Sequence, residues 1–364
     1  MTGLRVDAMP SRATRETLTT LCPAQVSRRK LPCNFDQAHL KLFEHEFERP
    51  IPESRLLRFE NVHVSSEGLL FKGFKMLPES FAYPFELSEW KRRSILKFLV
   101  TNHFFRKRRK IETEVLWITD YWSTGYFHWI TDALTRLFVV RDRLDQLTLL
   151  LPWEFEKRDF VKSSLEVFGV KHVDFVREDE VVECRSLLLP THTAPSGHFR
   201  DEVILGVRTK LLAAYGDSNY KGAGERIYIS RRGAGRRRVV NEDELCRILT
   251  NHGFQTVCTE ELSFAEQVKL LSRARYVVSN HGAGLTNMLF MRDDAKVLEL
   301  RHVSDYINNC YFILASALKL DYYYQLCEAA ADHADAHTAD LVVAPQELEK
   351  NLNLLLGSRR STFF

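Results

Sequence analysis

The chain has 364 residues, 45% of them hydrophobic, enough for a sizeable buried core and for two domains rather than one. Its 51 basic and 48 acidic side chains leave a net charge of only +3, which excludes a general polyanion-coating role, so no nucleic acid partner is expected. Seven cysteines stand at 22, 33, 184, 246, 258, 310 and 327, an odd number without C-x-x-C spacing, which argues against a thiolate zinc site and a complete disulfide framework. No apolar run approaches the roughly 18 residues that span a bilayer, and residues 1–30 are polar and basic without a signal-peptide hydrophobic stretch. A cytoplasmic protein is the expectation.

Residues 1–30 mix Thr, Ser, Arg and Pro with little periodicity and read as an extension that is ordered only if packed on the body. Between Leu56 and Leu77, alternation such as Val62-x-Val64 predicts short antiparallel strands. Phe104 to Lys110 then interleaves aromatics with bases. The run Arg106–Lys110 suits either a solvated charged turn or a peripheral contact with a membrane surface, at about 1 kcal/mol per basic residue near anionic lipid. We take 1–110 as an N-terminal extension containing short β-strands.

From about 114 the pattern alternates strand and helix, the sign of a parallel sheet covered on both faces. Strands are expected near 114–119, 147–151, 173–176 and 186–189, with helices near 126–142, 157–168 and 200–215. This is one Rossmann-like unit, 111–220, closed by the turn-rich 217–224. Within it, His128 and Asp132 are four apart and share a helix face. The helix dipole at its start is expected to lower the pKa of His128 and favour the neutral, proton-accepting ring. Asp132 would orient that ring or act as the base itself, and Arg136, a turn further on, would pair with Asp132. Tyr126 and Trp129 read as packing residues.

A second series follows, with strands near 226–230, 254–258, 275–279, 296–300 and 321–326 and helices near 241–252, 263–272, 284–291 and 304–318. It forms a second Rossmann-like unit, 221–340, and a final helix near 345–356 within 341–364 is expected to cross back toward the first. Arg231 and Arg232 end the first strand of this unit, at the sheet edge where ligands bind in open α/β folds. One of them would grip a phosphate bidentately while the other, by alternation, points to a surface ion pair. Arg236, Arg237 and Arg238 continue the cluster. Further on, Ser279-Asn280-His281-Gly282-Ala283-Gly284 joins a buried strand to a helix. Gly282 and Gly284 would let the first helical N–H groups, with that of Ala283, converge where the dipole favours an anion, and His281 enters the same space. Glu299, at a strand's carboxyl end, is placed to meet ribose hydroxyls, with His302, Asn308 and Asn309 just beyond.

Three of these segments together carry a resemblance. Tyr126-Phe127-His128-Trp129-x-x-Asp132-x-Leu134-x-Arg136, then Arg226-x-Tyr228-Ile229-Ser230-Arg231-Arg232 running on to Arg238 and Asn241-Glu242, then His281-Gly282-Ala283-Gly284-Leu285-Thr286-Asn287 resemble, in order, the signature blocks of glycosyltransferase family 61. The resemblance runs from about Leu116 to Leu326. It implies a GT-B architecture, with the two units facing across a cleft, the first on the acceptor side and the second binding a nucleotide sugar. It also implies an inverting transferase that uses a UDP-linked donor and a glycan or lipid-linked glycan acceptor. For a bacterial member, cytoplasmic and peripheral at the inner membrane, the implied setting is capsule or cell-surface polysaccharide synthesis.

Such transfer requires a base for the acceptor hydroxyl and cations or dipoles for the leaving diphosphate. No D-x-D lies at a strand end: Asp142 and Asp145 have the wrong spacing, and Asp332 and Asp335 sit in an Ala-rich stretch. Arginines would take the metal's place, so neither a metal site nor a cofactor is expected. The alternatives are a non-catalytic nucleotide- or glycan-binding protein with the same fold and a nucleotide-sugar-modifying enzyme.

Overall fold

Lys107–Leu116 is the pivot of the first sheet. In the computed structural model, which describes residues 15–83, 85–89, 92–217, 222, 224–331 and 335–357, it pairs in parallel with Thr148–Pro152 on one side and Glu180–Pro190 on the other. Val173–Val176 extends the parallel side. On the opposite side Ser54–Ser65 joins Glu180–Pro190 antiparallel and carries the hairpin Leu70–Lys72 and Lys75–Met76, while Arg15–Cys22 also pairs with Ser54–Ser65. The short strands expected before 110 therefore complete the first sheet. Their alternate residues Leu57, Phe59, Val62 and Val64 need a covered face and find it in one buried cluster with Trp117, Leu150, Leu187 and Leu189.

The basic run is part of this sheet. Lys107 to Lys110 opens the pivot strand, and its charges meet carboxylates: Arg106 faces Glu67, Lys107 faces Asp179, Arg109 is shared by Asp174 and Glu180, and Lys110 faces Glu112. The charged-turn reading of Arg106–Lys110 gives way to a strand whose bases pair with carboxylates of the protein.

The second sheet runs Gln255–Val257, Arg226–Ile229, Tyr276–Asn280, Lys296–His302, Asp321–Ala329 and Leu341–Val342, the first five parallel and the last antiparallel. One face packs Tyr228, Val278, Leu298 and Tyr323 on the helices Glu242–Asn251 and Pro345–Gly357 through Leu245, Leu249, Leu348, Leu352 and Leu355. The final helix thus stays on the second sheet, where its apolar stripe is covered. The crossing is made from the other end of the chain. Cys33 N–H donates to Tyr322 O at 2.7 Å, Asn34 Nδ2 to Tyr324 O at 2.7 Å, and Phe43 packs on Phe312 and Tyr324.

The other face of the second sheet carries Phe264–Leu271, Ala283–Phe290 and Cys310–Ala317. Their buried side chains belong to the same apolar cluster as Ile118, Trp129, Leu134, Leu137 and Leu149 of the first unit. Two expected helices change form here. Ala283–Phe290 is a 3₁₀ helix, buried from Gly284 to Phe290. The stretch before Cys310 is a loop, because Asp305 O and Asn309 Oδ1 accept from the buried guanidinium of Arg301 instead of propagating a helix. The helix over 126–138 is interrupted by a π turn at Trp129–Ala133, a distortion that often marks a functional position. The break at 217–224 lies largely, and Asp332 wholly, outside the described residues.

Candidate functional site

The second sheet has the doubly wound strand order 2-1-3-4-5, whose crossovers diverge between its first and third strands and leave a crevice at their carboxyl ends. Ser230-Arg231-Arg232 leaves the first of these strands and Asn280-His281-Gly282 the other. Arg231 turns inward and is 9% exposed. Among the described residues it has no carboxylate partner: Nε is unpaired and Nη2 reaches only Arg236 O at 3.3 Å. Burial, and then the neighbouring charge of Arg237, push its pKa below the usual arginine value. An isolated buried cation is costly, so this arrangement calls for an anion.

The two glycines serve space rather than handedness. A Cβ on Gly282 would fall on the Arg231 guanidinium, and one on Gly284 would stand 3.0 Å from Ile229 Cγ2. Gly282 has φ 167°, extended backbone that any residue adopts. Close approach, not an unusual backbone angle, is therefore what requires glycine at both positions.

Arg232 points outward, bonded to Glu242 at 3.0 Å and Asp243 at 2.7 Å. Arg238 is likewise engaged, with Asp340 at 3.0 Å, and lies away from the crevice. Arg236 and Arg237 line the cleft in its place. Arg237, at φ 56°, offers its carbonyl to Asn280 Nδ2, and its own Nε is buried without a hydrogen-bond partner among the described residues.

His281 is held from both sides. Its Nδ1–H donates to Glu299 Oε1 at 2.5 Å, and Asn308 Nδ2 lies 2.9 Å from Nε2. Tyr322 O–H donates to Glu299 Oε2 at 2.5 Å. Burial opposes the charge on Glu299, but the charge and hydrogen bond of His281, with Arg301 and Tyr322, hold its pKa below the ordinary carboxylate value. Glu299 is 1% exposed and does not line the cleft, so it acts behind His281 instead of meeting a ribose. A carboxylate behind an imidazole fixes the ring's orientation.

Across the cleft, His128 Nδ1 pairs with Asp132 Oδ2 at 2.8 Å, and Ser196 Oγ donates to the same oxygen at 2.6 Å. His128 lines the cleft and Asp132, 3% exposed, does not. Nε2 is the ring atom left for a ligand among the described residues. Burial works against the charged ring, yet the hydrogen bond and charge of Asp132 outweigh it and raise the His128 pKa above the ordinary histidine value. The dipole effect expected from the helix start is overridden by the nearer carboxylate. Arg136 does not pair with Asp132. It is fully buried, donates from Nε to Pro190 O at 2.8 Å and stands 3.6 Å from Asp120, which also bonds His192 at 2.8 Å.

One cavity of about 620 Å³ brings these groups together, with His128 and Ser196 on one wall and Arg236, Arg237, His281, Ala283 and Asn308 on the other. Glu46, Tyr83, Trp122 and His198 also line it and escaped the sequence reading. Nothing in local spacing points to them, since they come from separate segments that only the folded chain joins. Among the described residues no group of three or more His, Cys, Asp or Glu side chains is placed to hold a metal ion, and no helix is long and apolar enough to cross a membrane.

Residues 126–298 match the family model described as Glycosyltransferase 61. The chain is 38% identical over 91 residues to an EGF domain-specific O-linked N-acetylglucosamine transferase of Drosophila melanogaster, a match covering 24% of this chain and 17% of that protein. Its identity to the Gallus gallus transferase of the same name is 33% over 107 residues, 27% of this chain and 19% of that one. With a beta-1,2-xylosyltransferase of Oryza sativa subsp. japonica the identity is 25% over 221 residues, 53% of this chain and 38% of the relative. The chain thus spans under a fifth of the animal relatives' length and under two fifths of the plant relative's.

Proposed function

We propose that this chain is an inverting, metal-independent glycosyltransferase that moves a sugar from a UDP-linked donor to a hydroxyl of a glycan or lipid-linked glycan, as in capsule or other cell-surface polysaccharide synthesis. The observation that carries the reading is Arg231, a buried cation with no carboxylate partner among the described residues, pressed on Gly282 at the sheet's switch point beside Arg236, Arg237 and His281, which line one cleft with His128. A diphosphate there would accept from Arg231 and Arg237 and from the N–H groups that open Ala283–Phe290, so the charge that develops on the leaving group meets fixed donors.

His128 then serves as the base. Its Nε2 takes the proton of the acceptor hydroxyl while Asp132 holds the other ring nitrogen and stabilises the imidazolium that forms. Attack on the sugar's anomeric carbon from the face opposite the diphosphate inverts the configuration. Two Rossmann-like units around one cleft suit the GT-B arrangement, and the sugars named in the relatives, N-acetylglucosamine and xylose, are the first donors to try. The test is a thermal-shift screen of nucleotide sugars followed by transfer assays with NMR of the product anomer. A UDP-sugar should stabilise the protein and yield an inverted linkage. If no nucleotide or nucleotide sugar shifts the melting temperature or is turned over, the reading fails.

A further inference from the structure

The half of the cleft away from the arginines has a construction of its own. Ser196-Gly197-His198 forms its hub: Gly197, at φ 81°, takes the left-handed turn that sends the side chains before and after it to different partners. Ser196 Oγ goes to Asp132, its carbonyl accepts from Tyr83 O–H at 2.7 Å, and His198 Nε2 bonds Glu46 Oε2 at 3.0 Å. Glu46 comes from the helix Leu40–Phe47, before the residues matched by the family model, and is 3% exposed although it lines the cleft. Arg49 at 3.3 Å and His45 at 3.3 Å flank its carboxylate. Beside it the Tyr83 and Trp122 rings meet edge to face at 5.6 Å, and Trp122 lies 5.1 Å from the His128 ring.

We propose that Glu46, His198, Tyr83 and Trp122 form the subsite for the terminal sugar of an acceptor glycan, resting on the glycosyltransferase reading above. A pyranose has a hydroxyl rim and apolar C–H faces, so it is matched by a carboxylate, held in place by the His198 imidazole, that accepts hydroxyl hydrogen bonds next to aromatic rings that cover a face. Charge divides the cleft. A diphosphate is drawn to Arg236 and Arg237, while the Glu46 end, where the carboxylate is already paired with Arg49, offers it no free cation among the described lining residues and is left to a neutral polyol. His128 lies between the two ends and faces the hydroxyl to be deprotonated.

The test uses the full chain with the donor found by the screen, methyl glycosides and a serine- and threonine-containing peptide as acceptors, and calorimetry with UDP alone. Glu46→Gln keeps shape and removes the charge, and Trp122→Ala removes the ring face should the first variant fold poorly. Each is expected to raise the glycoside KM at least tenfold while UDP affinity stays within twofold of wild type. Unchanged KM in a folded variant, parallel loss of UDP affinity, or transfer by wild type to the peptide but to no glycoside overturns the subsite. Failure of wild type to bind UDP overturns the underlying reading instead.

Discussion

Replacing Asp132 by Asn separates the base from its orienter. The buried 2.8 Å contact with His128 is charge-assisted and of a kind that contributes about 1.5–3 kcal/mol. Its loss should lower the His128 pKa, since burial, which opposes the charge, remains while the carboxylate that outweighs it is gone. The neutral ring is the competent form, so activity rises with pH along the ring's titration. In wild type this acid limb should lie above about pH 6.5, and in Asp132→Asn it should move down. The plateau should fall even so. An amide can donate to Nδ1 as well as accept from it, which allows the proton onto Nε2, the atom that must receive one. A loss of about 10²–10⁴ in kcat is the expected size, matched by His128→Ala and not deepened in the double variant. The assay is kcat and kcat/KM from pH 5 to 9 at saturating donor, with donor affinity measured separately. An Asp132→Asn enzyme with a wild-type plateau, or with its acid limb unmoved, refutes the dyad.

Arg231→Ala should weaken UDP binding by about 1.5–3 kcal/mol, roughly 10–150-fold, whereas Arg232→Ala, which removes only the outward pairs with Glu242 and Asp243, should bind as wild type by calorimetry. Gly282→Ala should resemble Arg231→Ala with little loss of melting temperature, because its methyl displaces the end of a flexible side chain rather than backbone. Turnover should survive excess EDTA; loss of activity restored by manganese or magnesium would defeat the assignment of the diphosphate to arginines. Acid should destabilise the fold. Asp120, Glu46 and Glu299 all have depressed pKa values, so their contribution is complete above the unfolded-state value near about 4 and is lost as pH falls toward their folded values. Melting temperature should hold from pH 7 to about 5 and drop below 4, and Asp120→Asn should cost about 3–5 kcal/mol at pH 7 by leaving Arg136 buried without its carboxylate.

Strand and helix alternation after residue 114 was legible because each parallel strand is a short apolar run between turn signals, and the five parallel strands of the second sheet lie close to their expected places. What the alternation does not carry is partnership. Ser54–Ser65 reads as a strand, but its pairing with Glu180–Pro190 joins residues more than a hundred apart, and no local pattern encodes that contact. The final helix is amphipathic whichever unit it covers, so its place on the second sheet depended on the apolar face of Tyr228, Val278 and Leu298 being open there. Helix type was equally hidden. Leu285, Met288 and Leu289 fit an α-helix or a 3₁₀ turn, and spacing alone does not choose between them.

The site divides along the same line. His128, Asp132, Arg231 and His281 stand at strand ends or on one helix face, positions that spacing can identify. Which arginine faces inward was open in the sequence because strand alternation had ended at Ile229, and the neighbouring acids Glu242 and Asp243 settle it by drawing Arg232 outward. Glu299 shows the converse. A carboxylate at a parallel strand's carboxyl end was read as a ligand, yet Lys296–His302 is buried along its whole length, so Glu299 turns its charge to His281 and Tyr322. The strand that supplies Tyr322 is in turn held by the N-terminal segment through Cys33 and Asn34, while Asn309, beside Arg301, donates to Leu42 O at 2.7 Å. Residues before 50 therefore fix the geometry of His281 from behind and, through Glu46, reach the cleft in front. With one apolar cluster running through both units, the distance between His128 and His281 is set by packing, whereas Arg236, Arg237 and Asn308 reach the cleft from loops.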